Sequence, residues 1–118
     1  MSRNIFISHT SSDRQMLENA LKYLRSRRFL STSDNVFYDL YDFASGEDFR
    51  EATREAIEGA DAVFVIWSSA AAASKWVNYE LGMADALGKD LVLVVPHGQP
   101  GQIPDNLQDA KVVELPGG

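Results

Sequence analysis

Two unbroken apolar runs, Ala62-Val63-Phe64-Val65-Ile66-Trp67 and Leu91-Val92-Leu93-Val94-Val95, constrain this chain more than any other feature. A strand with one wet face alternates apolar and polar residues. A run rich in β-branched residues without alternation suits a strand covered on both faces, as in the middle of a parallel sheet. Parallel neighbours need a long crossover, usually a helix. The segment between the runs supplies one, because Trp76, Val77, Met83, Ala84 and Leu87 fall on one arc at helical spacing and Gly88 closes the pattern.

The same alternation repeats upstream. Asn4-Ile5-Phe6-Ile7-Ser8 reads as a short strand. Ser12-Asp13-Arg14-Gln15 has capping-box spacing, with Ser12 as N-cap and Gln15 at N3, and Leu17, Ala20, Leu21 and Leu24 continue a helix. Val36-Phe37-Tyr38-Asp39 is a brief second strand. The polar segment from Leu40 to Glu47 leads into a helix with Phe49, Ala52, Ala56 and Ile57 inward, ended by Gly59. Pro96 stops the fourth strand, and a turn from Pro104 to Leu107 precedes a fifth, Lys111 to Leu115. This order predicts one α/β domain over residues 1–118, a doubly wound, five-stranded parallel sheet with helices on both faces. Such a domain commonly lays one more helix over its last edge, and that last helix is expected to be missing after Leu115-Pro116-Gly117-Gly118.

Composition narrows the chemistry. At 118 residues, 45% hydrophobic and 24% charged, the chain suits a single core. No apolar run approaches the ~20 residues that cross a bilayer, and no signal-peptide core precedes the first strand. A soluble, cytoplasmic protein is the expectation. The absence of cysteine excludes disulfides, thiolate catalysis and thiolate-held metals. His9 and His97 lack the HExxH type of spacing, so no metal site is expected. A formal charge of −6 opposes nucleic acid and anionic membranes as partners. The cationic stretch Arg25-Ser26-Arg27-Arg28 closes a helix, where it favours the negative end of the macrodipole.

Ligands of doubly wound sheets bind beyond the carboxyl ends of the strands. Those ends here carry Ser8-His9-Thr10, Asp39 through Asp42, Ser68-Ser69 and His97-Gly98. Glu80 sits inside the apolar arc of its helix, four residues after Trp76. A carboxylate there is protonated, paired with a buried cation, or lining a cleft filled by a polar ligand. A flexible stem that reaches solvent or a nearby Lys or Arg is the competing explanation. No GxGxxG follows the first strand, no GxxxxGK[ST] loop is present, and the carboxylates of a receiver domain are missing. Ser8-His9-Thr10-Ser11-Ser12, running into a helix, suits either a phosphate cradle or an ordinary capped loop.

Taken in order, Ile5-Phe6-Ile7-Ser8-His9, Val36-Phe37-Tyr38-Asp39, Ser45-Gly46-Glu47, Ala60-Asp61-Ala62-Val63-Phe64-Val65-Ile66-Trp67-Ser68, Ser74-Lys75-Trp76-Val77-Asn78-Tyr79-Glu80 and Gly88-Lys89-Asp90-Leu91-Val92-Leu93-Val94 resemble a bacterial TIR (Toll/interleukin-1 receptor-like) domain of the NAD-cleaving type. The resemblance implies a flavodoxin-like sheet of order 2-1-3-4-5. It also implies cleavage of the nicotinamide N-ribosidic bond of NAD⁺, to linear or cyclic ADP-ribose, with Glu80 catalytic. NAD⁺ is then the substrate, and no bound cofactor is required. Trp76 packs against the dinucleotide or anchors the core. Ser8 and His9 contact a ribose or phosphate, or Ser8 caps local backbone. Within the pocket loop, Phe43 shields nicotinamide or folds inward, and Asp42 lines the pocket or makes a turn. The 40–47 loop and neighbouring helices are implied in self-association, with a fused or separate sensor domain as a possible partner and bacterial signalling or anti-phage defence as the setting. Two alternatives stand beside this: a non-enzymatic TIR-like adaptor, and a nucleoside 2-deoxyribosyltransferase-like enzyme, whose glutamate-bearing helix Tyr79 to Lys89 is similar to. The Ser8-His9-Thr10 opening and Trp76 favour the TIR pattern.

Overall fold

The computed structural model describes residues 3–37, 47–98 and 110–116. Five strands, β1 (Asn4–Ser8), β2 (Asn35–Phe37), β3 (Ala62–Ile66), β4 (Asp90–Val95) and β5 (Lys111–Glu114), form one parallel sheet in the order β2-β1-β3-β4-β5. The expected flavodoxin-like order is the one found. Every residue of β3 is buried, which is why its sequence shows no alternation. Successive side chains go to opposite faces, and each face meets helices.

On one face, Leu17, Ala20, Leu21 and Leu24 of α1 (Arg14–Ser26) pack with Ile5, Ile7, Phe64, Ile66 and Val94. On the other, Ile57 of α2 (Glu47–Glu58), Ala71 of α3 (Ser69–Ala73) and Val77, Leu81 and Ala84 of α4 (Lys75–Ala86) pack with Phe6, Val63, Val65 and Leu93. Full burial of one such side chain contributes ~1.5–3 kcal/mol, so these two clusters dominate the folding energy of a chain this size.

Helix α4 is delimited by local chemistry. The Ser74 hydroxyl accepts from the Val77 N–H at 3.1 Å, an N-cap bond. The Asn78 amide donates to the Ser74 and Ala72 carbonyls at 2.8 and 3.1 Å, fastening α4 to α3. At the other end Gly88 takes φ 69°, so that the Lys89 N–H reaches the Ala84 carbonyl at 3.0 Å. Helix α1 ends in the same way, with Phe29 N–H on the Leu24 carbonyl at 2.9 Å, but the left-handed position is Arg28, φ 64°.

The capping box expected at Ser12 and Gln15 does not form. A 3₁₀ turn, Ser11–Asp13, intervenes and α1 begins at Arg14. The Ser12 hydroxyl pairs with that of Thr10 at 2.9 Å, and the Gln15 amide donates to Asn19 at 3.3 Å, so neither side chain serves the helix end. Helix α3 was not anticipated. Its Ala-rich stretch carries no amphipathic signature, and it exists because the Ser68 hydroxyl accepts from the Ala71 N–H. Gly59 ends α2 as expected, and Ile57 is buried. Tyr38 and Asp39 of the expected second strand, the side chains of Phe49 and Ala52, and the Pro104 to Leu107 turn lie outside the described residues. No described helix is long and apolar enough to cross a membrane.

Candidate active site

Phe6 and Ser8 share a face of β1 by strand alternation, and Phe6 belongs to the cluster beneath α4. Ser8 is therefore delivered, at the carboxyl end of β1, under the same helix. Its hydroxyl donates to Oε1 of Glu80. Glu80 is only 3% exposed, which removes the solvent-reaching stem from consideration. Val77, Leu81 and Ala84, all buried on α4, surround it along the helix.

Burial without a countercharge sets the electrostatics. Loss of hydration raises the Glu80 carboxyl from 4.5 to about 8, while hydrogen bonding from Ser8 and from the Trp76 side chain opposes the rise. Among the described residues no cation takes part in this balance. Burial thus favours the neutral acid at neutral pH. A positive charge placed against it would favour the ionised form.

Trp76 lies one turn before Glu80 and is half-buried, its ring 5.4 Å from that of Tyr79 at 32°. Tyr79 is 40% exposed. The i, i+3 and i, i+4 spacings place both within reach of Trp76 along one side of α4. The result is an aromatic flank leading from the surface toward the carboxyl. His9 follows Ser8 and is buried at the exit of β1. The structure thus brings Ser8, Trp76 and Glu80 together. Asp42, Phe43 and the rest of the 40–46 segment lie outside the described residues.

One polar residue near these strand ends, Asp13, escaped sequence reasoning. Asp13 accepts from the Thr10 hydroxyl at 2.9 Å and from the Ser68 hydroxyl across the exits of β1 and β3. Ser68 was visible as a strand-end residue, but Asp13 was absorbed into the expected helix cap. A carboxylate one loop beyond a strand exit was the available signal.

A cavity of about 470 Å³ lies elsewhere, lined by Arg3, Phe29, Phe64, Lys89, Asp90 and Lys111 among others. It sits at the amino ends of the strands, opposite Glu80, and ligand chemistry in this architecture belongs to the carboxyl ends. Among the described residues no group of three or more His, Asp and Glu side chains gathers to hold a metal. What the Ser8, Trp76 and Glu80 arrangement can do is hydrogen-bond a hydroxyl-bearing ligand, stack on a flat ring, and oppose a positive charge.

A family model described as TIR domain matches residues 5–118. The TIR domain of a Toll-related receptor from Hydra magnipapillata superposes with a TM-score of 0.68 at 19% identity, over 95% of this chain and 83% of that one. A metazoan TIR-STING receptor from C. gigas gives 0.68 at 23% identity, over 93% of this chain but only 37% of the receptor. A CMP N-glycosidase from Clostridium botulinum gives 0.57 at 14%, over 92% and 85%. At such identities these structures speak for the fold alone. A search of curated proteins returns no match.

Proposed function

The chain belongs to the TIR domain family, and from that premise we propose that it cleaves the nicotinamide N-ribosidic bond of NAD⁺ with Glu80 as its catalytic carboxylate. The observation that carries this reading is a buried carboxyl, held by Ser8 at the carboxyl end of β1 and lacking a cation among the described residues. Such a group is costly to keep, and a cationic ligand would supply the countercharge that the described residues do not. NAD⁺ brings one, the pyridinium ring.

In the reaction, the bond between ribose C1′ and the pyridinium nitrogen breaks, and both electrons leave with neutral nicotinamide. The sugar retains the positive charge as an oxocarbenium ion. An ionised Glu80 opposes that charge and accepts from a ribose hydroxyl, stabilising the transition state more than the ground state. Water then adds at C1′ and gives up a proton, yielding ADP-ribose; addition of an adenine nitrogen instead yields a cyclic isomer. Ser8 fixes the carboxyl rotamer, Trp76 stacks on a ring of the dinucleotide, and His9, Asp42 and Phe43 are the further substrate-binding residues of this proposal. Assembly through the 40–47 loop and neighbouring helices raises turnover, in bacterial signalling or anti-phage defence under a sensor domain.

The test is nicotinamide release from NAD⁺ at high protein concentration and under crowding, for the wild type, Glu80→Ala and Glu80→Gln. Release in the wild type that both variants lose supports the proposal. NAD⁺ left intact while bases are freed from nucleosides would instead favour the transferase-like reading. No turnover on either substrate in any assembled state would leave an adaptor.

A further inference from the structure

In a sheet of order β2-β1-β3-β4-β5 the chain leaves β1 toward β2 and leaves β3 toward β4, so the crevice at the switch point opens between the exits of β1 and β3. One carboxylate spans it. Asp13 Oδ2 accepts from the Thr10 hydroxyl at 2.9 Å and from the Ser68 hydroxyl. Ser68 in turn accepts from the Ala71 N–H at 3.0 Å and so starts α3. The Asp13 side chain makes no capping bond to α1. The hydrogen bonds of this carboxylate therefore go to Thr10 and Ser68 rather than to the helix it precedes. Hydrogen bonds to an ionised carboxylate are roughly twice as strong as neutral ones.

Both segments fastened by Asp13 lead directly to the carboxyl of the proposed reaction. The Thr10 loop follows from Ser8, the donor to Glu80. From Ser68 the chain runs through α3 to the Ser74 cap and into α4, which carries Trp76 and Glu80. We infer that Asp13 is a positioning residue: by fastening Ser68 to the Thr10 loop, it sets the approach of the Ser8 arm to the Glu80 arm. This rests on Glu80 being the catalytic carboxylate. Neither Asp13 nor Ser68 needs to touch substrate for the effect.

The test uses the full chain and the variants Asp13→Ala, Ser68→Ala, Ser68→Thr and the double alanine. Asp13→Ala breaks the tie while leaving the α3 cap intact; Ser68→Ala removes both, and Ser68→Thr keeps the hydroxyl. Two readouts are taken. One is kcat and KM for nicotinamide release. The other is the pH titration of the Trp76 indole N–H by nuclear magnetic resonance, which follows the Glu80 proton without requiring turnover. Each alanine variant is expected to lower kcat roughly tenfold or more with KM within about twofold. The double variant should be no worse than the more severe single, since one bond is shared. The indole titration moves in both alanine variants, and Ser68→Thr restores both readouts. Wild-type kcat and an unmoved titration in Asp13→Ala, whatever its melting temperature, would overturn the inference. If the wild type releases no nicotinamide, the catalytic reading falls, and the titration alone decides. A moved midpoint upholds Asp13 as the residue that places Glu80, and an unmoved one rejects it.

Discussion

Replacing Glu80 by Gln should stabilise the protein in a strictly pH-dependent way. The carboxyl has a value of about 8 when folded against 4.5 ordinarily. Below pH 4.5 both states carry the proton, and burial adds no pH-linked cost. As pH rises toward 8, the unfolded chain releases the proton while the folded chain retains it, so stability falls by ~1.4 kcal/mol per pH unit. Above the folded value both states are ionised and the full penalty stands, ~5 kcal/mol. At pH 7 the cost is ~3 kcal/mol, a large share of the ~5–15 kcal/mol available to a domain. Gln keeps the carbonyl that accepts from Ser8 but cannot ionise. Its extra N–H donors add a constant term that cancels between pH values. Urea unfolding followed by far-UV circular dichroism, on wild type and Glu80→Gln at pH 4, 5.5, 7 and 8.5, should show their difference widening with pH by ~3 kcal/mol between pH 4 and 7. A difference that stays constant across that range would refute the argument, because it would mean that something in the fold already compensates the ionised carboxylate.

On the proposed reading the same titration governs nicotinamide release, and kcat/KM should climb about tenfold per pH unit below a midpoint near 8 in the free protein. Ser8→Ala, by removing a bond that favours the ionised form, should push that midpoint higher; a profile flat from pH 6 to 9 would argue against an ionised Glu80 in the reaction. Arg28→Gly relieves the left-handed backbone at φ 64° and should stabilise by ~0.5–1 kcal/mol after the added entropy of the unfolded glycine is set against it, read as a higher melting temperature. Ser74→Ala deletes the N-cap of α4 and should cost ~1 kcal/mol in chemical denaturation. Because the cap lies one residue from Lys75 and two from Trp76, its loss should also slow turnover.

Sheet topology was legible because β3 and β4 write their environment directly into composition: only residues covered on both faces need to be continuously apolar, as Val63 to Ile66 and Val92 to Val95 are. Glu80 was legible for the opposite reason, as a polar residue where the helix period demands an apolar one. The start of α1 was not. Thr10, Ser12 and Asp13 offer several equivalent hydrogen-bonding partners within a few residues, and the choice among them was settled by Ser68, which sequence places 55 positions away. Helix α3 was hidden likewise, since an alanine stretch has no face to reveal and its cap also belongs to the Asp13 network. Tyr79 went unremarked because partial exposure leaves no periodic trace.

The bond between Ser8 and Glu80 joins residues 72 positions apart in the chain. A protein emerging from the ribosome exposes Ser8 long before α4 has been synthesised. The pair can close only when β1 and β3 have zipped together and α4 has docked across them. Loop closure over such a span comes late relative to local helix formation. A nascent chain, or one clipped before α4, therefore carries the hydroxyl without its carboxyl partner. On the proposed reading such a chain has no catalytic carboxylate, so cleavage of NAD⁺ waits for synthesis to finish and for α4 to dock.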